Sequence, residues 1–168
     1  MSDTERRTAN REVLEQAMGA ICTGDRKTLA NLYTEDWVLE LPFSDPPKRL
    51  EGVAEIAAYL GSQMGRFDFT LSLVEVHPCV DPDLLVAEYT SEGRVTATGK
   101  PYRNTYIGLW RFRNGRICGV KEYLNPLVVA DALASDDISG GPNDSGGSTL
   151  GRGMQGPTRV RAQGRGCR

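Results

Sequence analysis

Along the first half of the chain, apolar residues return every three or four positions; along the second half they return every second position. Val13, Leu14, Ala17, Met18 and Ile21 share one face of a predicted first helix. "SDTE" (Ser2 to Glu5) matches a capping box at its start, and Gly24 stops it. Asp25 can cap a second, short helix through Leu29, Leu32 and Tyr33. "DWVLELPF" then alternates, with Trp37, Leu39, Leu41 and Phe43 on one side and Val38 and Glu40 on the other, as in a strand. Asp36 reads as part of the turn before it. The two prolines of "SDPPKRLEG" predict an irregular loop. Val53, Ile56, Ala57, Leu60 and Met64 mark a third helix.

Four strands follow from the period of two: "FDFTLSLVEVH", "DLLVAEYTSEGRVTATG", "YRNTYIGLWRFR" and "RICGVKEYL". "RNGR" holds an Asn-Gly hairpin signal, so the last two strands pair antiparallel. "PLVVADALA" predicts a short closing helix from Pro126. The class is α+β: one curved antiparallel sheet, cone-shaped, with three helices of the N-terminal half packed on one face. A cone encloses a dry pocket lined by alternate strand residues. In the last strand, Cys118, Val120, Glu122 and Leu124 share a face. Leu84, Val86, Glu88, Thr90 and Glu92 share another, while Tyr102, Asn104, Tyr106, Gly108 and Trp110 alternate with Arg103, Thr105, Ile107, Leu109 and Arg111. Parity alone does not say which set faces inward.

Composition changes sharply near Ser135. Residues 1–134 form the predicted domain, and 135–168 are rich in Gly, Ser and Arg, too poor in large apolar groups to offset ordering entropy. That tail is expected to be disordered and solvated. A formal net charge of −2 gives no electrostatic footprint for nucleic acid or a membrane surface. No apolar run approaches a membrane span and no secretory leader opens the chain, so the expected location is cytoplasmic. Cys22, Cys79, Cys118 and Cys167 stand singly, and His77 is the one histidine. Clustered metal ligands are lacking, so no metal and no cofactor are expected. His77 ends an apolar stretch before Pro78, which reads as a strand end rather than part of a Ser-His-Asp or Cys-His constellation.

One position resists the pattern. Glu122 in "GRICGVKEYLNPL" sits among Ile117, Cys118, Val120, Tyr123 and Leu124, where a charge loses hydration. "ELPF", "RLEGVAEIAAYL", "YRNTYIGLWRFRNGRI" and "KEYLNPL" together resemble the SnoaL-like branch of the nuclear transport factor 2-like superfamily, and within it the phenazine-biosynthesis A/B type. The resemblance spans roughly residues 8–133. It implies the cone fold and gives Glu122 of "KEYLN" the pocket acid/base role. It also places Asn104 of "RNTY" in that pocket, and Glu88 of "VAEY" there as a second carboxylate.

These residues would permit proton transfer without a cofactor. Burial raises a glutamate's pKa toward the value a general acid/base needs. Asn104 or Tyr89, Tyr102, Tyr106 or Tyr123 could hydrogen-bond a substrate oxygen. Trp37, Phe43, Phe69 and Trp110 would supply the wall. The expected activity is a cyclase or isomerase, with dehydration also open, acting on a hydrophobic oxygenated intermediate of polyketide-, phenazine- or terpenoid-like secondary metabolism. A non-catalytic ligand-binding protein is the second reading. Limonene-type epoxide hydrolysis is the third, although no Asp-Arg-Asp trio is evident. Structural alternatives stand beside these: Glu122 paired with Arg103, Arg111 or Lys121, Glu88 facing solvent, and Asn104 satisfying backbone groups in a bulged strand. A homodimer is expected, covering Ile107 and Leu109 on the convex face.

Overall fold

Capping chemistry sets the first two helices. In the computed structural model, which describes residues 1–134, helix α1 runs from Asp3 to Thr23. The Ser2 hydroxyl accepts from the Glu5 amide at 3.3 Å, and the Glu5 carboxylate accepts from the Ser2 amide at 2.6 Å. Gly24 ends the helix at φ 68°, a conformation that strains any side chain. The Asp25 carboxylate accepts from the Thr28 amide at 3.1 Å and starts α2, Arg26–Leu32. The predicted tail, 135–168, lies outside the described residues. No helix among the described residues is long and apolar enough to cross a membrane.

The remaining elements are β1 (Tyr33–Leu41), β2 (Lys48–Glu51), α3 (Val53–Met64), β3 (Phe67–Pro78), β4 (Leu84–Val95), β5 (Pro101–Arg113), β6 (Arg116–Leu124) and α4 (Pro126–Leu133). Two local expectations shift. Tyr33 and Asp36 belong to β1 rather than to a helix and a turn: Tyr33 takes extended backbone, and its ring packs 4.4 Å from that of Trp37. The proline loop contains a strand, because Pro46 and Pro47 leave the amides of Lys48 to Glu51 free to pair with β1.

The sheet order is β2-β1-β6-β5-β4-β3. Its joints are antiparallel except for β1 against β6, which run parallel, with helix α3 and the four strands β2 to β5 intervening between them in the chain. Asn114 at φ 53° and Gly115 at φ 72° make the tight turn between β5 and β6. Curvature enters at bulges. One lies at Val74 in β3. Another lies at Cys118, where Phe112 faces Ile117 but Arg111 faces Gly119. Ile117 and Val120 are therefore both buried, at 0% and 5% exposure, and Cys118 leaves the face it was expected to share with Val120.

The concave face carries the core. Leu14 and Ala17 of α1 and Ile56 of α3 pack with Leu39, Leu85, Ala87 and Ile117 of the strands. A second cluster joins Val95 and Tyr102 to Ala132 of α4. At this same end of β4, Gly93 lies opposite Phe69 within van der Waals limit: a methyl there would meet the Asp68 carbonyl oxygen at 2.0 Å and Phe69 Cα at 2.5 Å. Both obstacles are backbone and cannot swing aside. Gly93→Ala is expected to lower stability by about 1–3 kcal/mol, read by urea unfolding; an unchanged midpoint would show that β3 gives way there.

Candidate active site

A cavity of about 750 Å³ opens on the concave side of the sheet. Tyr33 and Trp37 of β1, Tyr59 of α3, Phe67 and Phe69 of β3, and Tyr89 of β4 line it. Tyr102, Tyr106 and Trp110 of β5 and Leu124 of β6 complete most of the wall, and α4 adds Pro126, Leu127, Val129 and Ala130. Leu127 is 75% exposed, so α4 borders the opening. Phe43, just past the end of β1, also lines it and packs its ring edge-on 5.1 Å from Tyr123. The wall is aromatic with a few polar tips.

Glu122 enters this space from β6. Alternation from Val120 sends its carboxyl inward and sends Lys121 and Tyr123 to the other face. The Tyr89 hydroxyl donates to Glu122 Oε2. Burial pushes the Glu122 carboxyl above the usual carboxylate range, because the charged form loses its water; the Tyr89 hydrogen bond pulls the other way and is the smaller effect. Burial also raises Tyr33, Tyr59 and Tyr89, with the Glu122 charge adding to each. These phenols stay protonated and remain donors.

Gly108 makes room for this arrangement. It lies opposite Glu122 in register. A methyl on it would sit 2.4 Å from Trp110 Nε1 and 3.0 Å from the Tyr89 hydroxyl. Missing bulk at one position thus lets an indole and a phenol converge beside the carboxyl. Trp110 Nε1 is buried without a hydrogen-bond partner among the described residues.

The structural salt bridge read from sequence does not form. Arg103, Arg111 and Lys121 lie on the outer face, where Arg103 meets Glu92 at 2.7 Å and Lys121 meets Glu40 at 3.0 Å. Glu88 is on that outer face too. This corrects its placement as a second pocket carboxylate: pleat parity that turns Tyr89 inward turns Glu88 outward, where it bonds His77 Nε2 at 2.9 Å. Glu75 joins them, with ligating atoms of the three within 4.8 Å, and the His77–Glu88 bond accounts for the grouping. Asn104 is buried on the concave face, yet its amide is spent on protein groups. Its Nδ2 donates to the Tyr102 hydroxyl at 3.2 Å and to the Asn125 carbonyl at 3.1 Å. Its Oδ1 accepts from the Thr105 and Asn125 amides at 2.9 and 3.2 Å. Asn104 ties β5 to the N-cap of α4 rather than reaching a ligand itself.

Tyr89, Tyr102, Tyr106, Trp110, Phe43 and Trp37, expected to surround a ligand, all line the cavity. Tyr33, Tyr59 and Gly108 were not singled out. Tyr33 was hidden by its assignment to a helix, and Tyr59 by its place on the partly buried flank of α3. Gly108 was legible as the one glycine in an otherwise bulky alternation.

Comparison with known proteins agrees with this architecture. The family described as a SnoaL-like domain matches residues 14–120. The chain is 36% identical over 127 residues to the uncharacterised protein YesE of Bacillus subtilis, covering 73% of this chain and 85% of that one. It is 28% identical over 125 residues to an uncharacterised PhzA/B-like protein of Pseudomonas aeruginosa, covering 73% and 89%. A crystal structure from Bacillus subtilis, described as a candidate isomerase, superposes with a TM-score of 0.69 at 32% identity, covering 79% of this chain and 95% of that one.

A raised carboxyl pKa has a consequence for folding. The folded state holds the Glu122 proton more tightly than the unfolded state does, so this group's stabilisation is present at acid pH and is lost as pH rises through the folded value. Glu122→Gln keeps an acceptor for Tyr89 and removes the titration. The variant is expected to gain stability relative to the parent as pH rises above the ordinary carboxylate range, in thermal unfolding followed across pH. Parallel pH profiles for the two would contradict a desolvated carboxyl.

Proposed function

The chain belongs to the SnoaL-like domain family, and within it we propose that the protein is a cofactor-independent acid/base enzyme. Its reaction is cyclisation or isomerisation, with dehydration as the neighbouring chemistry. Its substrate is a hydrophobic, oxygenated intermediate of polyketide-, phenazine- or terpenoid-like secondary metabolism. The observation that carries this reading is one carboxyl, that of Glu122, held by a tyrosine hydroxyl inside an aromatic cavity with no arginine among the lining residues. Desolvation lifts its proton affinity toward the operating pH, as general acid/base work requires.

In this mechanism ionised Glu122 removes a proton from a carbon beside a carbonyl. The C–H bond breaks, a carboxyl O–H bond forms, and the electron pair moves onto the carbonyl oxygen as an enolate. Returning that proton to a different carbon completes an isomerisation. Attack of the enolate carbon on a second carbonyl closes a ring, and Glu122 then gives its proton to the new alkoxide. Tyr89 keeps the carboxyl in one orientation throughout. The aromatic wall of Trp37, Phe43, Trp110 and Tyr102 packs a flat ring system and excludes water.

Epoxide opening by an Asp-Arg-Asp relay lacks its parts: among the described residues Asp45 is the one aspartate lining the cavity, and no arginine lines it. A binding protein without turnover is separated by experiment. Glu122→Gln is expected to lower kcat about 10²–10⁴-fold on an accepted polycyclic ketone, measured by mass-spectrometric product formation. Parent kcat should follow the titration of one group. Full activity in the Gln variant removes Glu122 from the chemistry, and tight binding without any turnover by the parent favours the binding protein.

We also propose a homodimer through the outer sheet face, where Ile107 is 44% exposed beside Val86 and Leu109 of the adjoining register. Sedimentation at micromolar concentration is expected to give twice the chain mass, and Ile107→Lys to shift it toward monomer. A parent sedimenting as a monomer overturns the assignment.

A further inference from the structure

The cavity has a second polar pole, away from Glu122. Glu122 shares a row with Gly108 and Ala87, whereas Ser91 and Asn104 pair four residues along β4, about 13 Å of strand. Between those rows stands Tyr106. It is 6% exposed, lines the cavity, and stacks its ring parallel to that of Tyr89 at 5.1 Å. The two hydroxyls serve opposite ends. That of Tyr89 goes to Glu122, and that of Tyr106 lies 2.9 Å from the Tyr102 hydroxyl and 3.0 Å from Ser91 Oγ.

Asn104 fixes one end of this chain. Its amide makes two donations and accepts twice, and a flipped amide would set oxygen against the Asn125 carbonyl and NH₂ against two N–H groups. Only one orientation satisfies all four. Tyr102 oxygen is therefore an acceptor, and its own proton is free to go to Tyr106. Ser91 can donate to Tyr106 from the other side. With both donations made, the Tyr106 oxygen carries two incoming hydrogen bonds, and its proton has no acceptor left among these partners. In that arrangement the proton is left for the cavity that the residue lines.

We infer that the Tyr106 hydroxyl, primed by Tyr102 and Ser91, is the donor to a ring carbonyl at the far end of a fused-ring or extended conjugated ligand. A hydroxyl that already accepts two hydrogen bonds donates more strongly, and a fixed donor of this kind stabilises charge arriving on the carbonyl oxygen. The acceptor is a neutral carbonyl rather than a carboxylate, because among the described residues no cation is hydrogen-bonded to these hydroxyls to offset burial of a charge. The placement of the reacting atom at the other pole rests on the acid/base reading of Glu122. Conjugation then links the two ends: electrons released at Glu122 reach the oxygen held by Tyr106.

Fluorenone and fluorene, which share a shape and differ in the carbonyl, test this. The parent is expected to bind fluorenone about 3- to 10-fold more tightly in calorimetric or fluorescence titration, the advantage of one hydrogen bond. The infrared carbonyl stretch of bound fluorenone should fall below its value in hydrocarbon solvent. Tyr106→Phe is expected to abolish both the preference and the shift, while Glu122→Gln retains both. Failure of the acid/base reading would thus appear in turnover alone. Equal affinity for the two probes in the parent, an unmoved stretch, a preference that survives Tyr106→Phe, or no binding of either probe overturns the inference. The parent's own stretch decides the matter even if the Phe variant does not fold.

Discussion

A carboxyl that is buried without a cation is the constraint on which this site depends. Glu122 has one named partner, a neutral phenol, and the ionised form gains from that hydrogen bond less than it loses in hydration. A guanidinium in the same position would invert the balance and hold the group ionised at all relevant pH. The cations that sequence offered as partners, Arg103, Arg111 and Lys121, are instead on the other face of the sheet, and Lys48, which lines the cavity, sits over the Tyr59 ring. What remains is a group whose neutral form is favoured relative to an ordinary carboxylate, held by a phenol inside a largely aromatic wall.

The sheet acts as a partition between two electrostatic regimes. Its outer face is laced with ion pairs, Arg103–Glu92, Lys121–Glu40 and Arg94–Asp68 among them, all with partly exposed side chains. Each such pair contributes little to stability because water screens it. Their effect is on placement: strand positions of one parity take up the charges, and those of the other parity are left for tyrosine, tryptophan and leucine. Curvature then turns the apolar side into a hollow. The bulges at Val74 and Cys118 and the close approach at Gly93 bend the strands, and the three N-terminal helices and α4 pack around the concavity.

Much of this was legible in the residues themselves. The capping box at Ser2, the Gly24 stop, the Asn-Gly turn and the alternation in the last four strands are local signals, and local physics decided them. Glu122 stood out for the same reason: a charge inside an apolar alternation is a contradiction that only a special site resolves. Glu88 was misplaced because parity relates residues within one strand but not between strands. Its inward neighbour was settled by Tyr89 reaching Glu122, a contact across two other registers. Asn104 was read as facing a ligand because its type and its face were right. That its amide is consumed by Asn125 depends on where the chain turns after β6, which no spacing in β5 records. Tyr33 was lost to the helix because the apolar pattern of Leu29 and Leu32 continues smoothly into it, and only packing against Trp37 makes it a strand residue. The parallel joint of β1 to β6 is a non-local pairing that no periodicity encodes.

The use of tyrosine in the cavity follows from the same electrostatics. The chain has six tyrosines, and Tyr33, Tyr59, Tyr89, Tyr102 and Tyr106 all line this one space. A wall meant only to be apolar would be better made of phenylalanine and leucine, since each buried hydroxyl needs a partner to avoid a desolvation penalty. Here the hydroxyls of Tyr89, Tyr102 and Tyr106 bond to Glu122, to one another, to Ser91 or to Asn104, and burial drives the ionisation of Tyr33, Tyr89 and Tyr106 far above neutral pH. They orient polar atoms inside the hollow without bringing charge into it. Proton exchange is thereby confined to the single side chain in the wall whose affinity burial moves toward neutrality. The phenols around it fix geometry, donate hydrogen bonds and stay as they are.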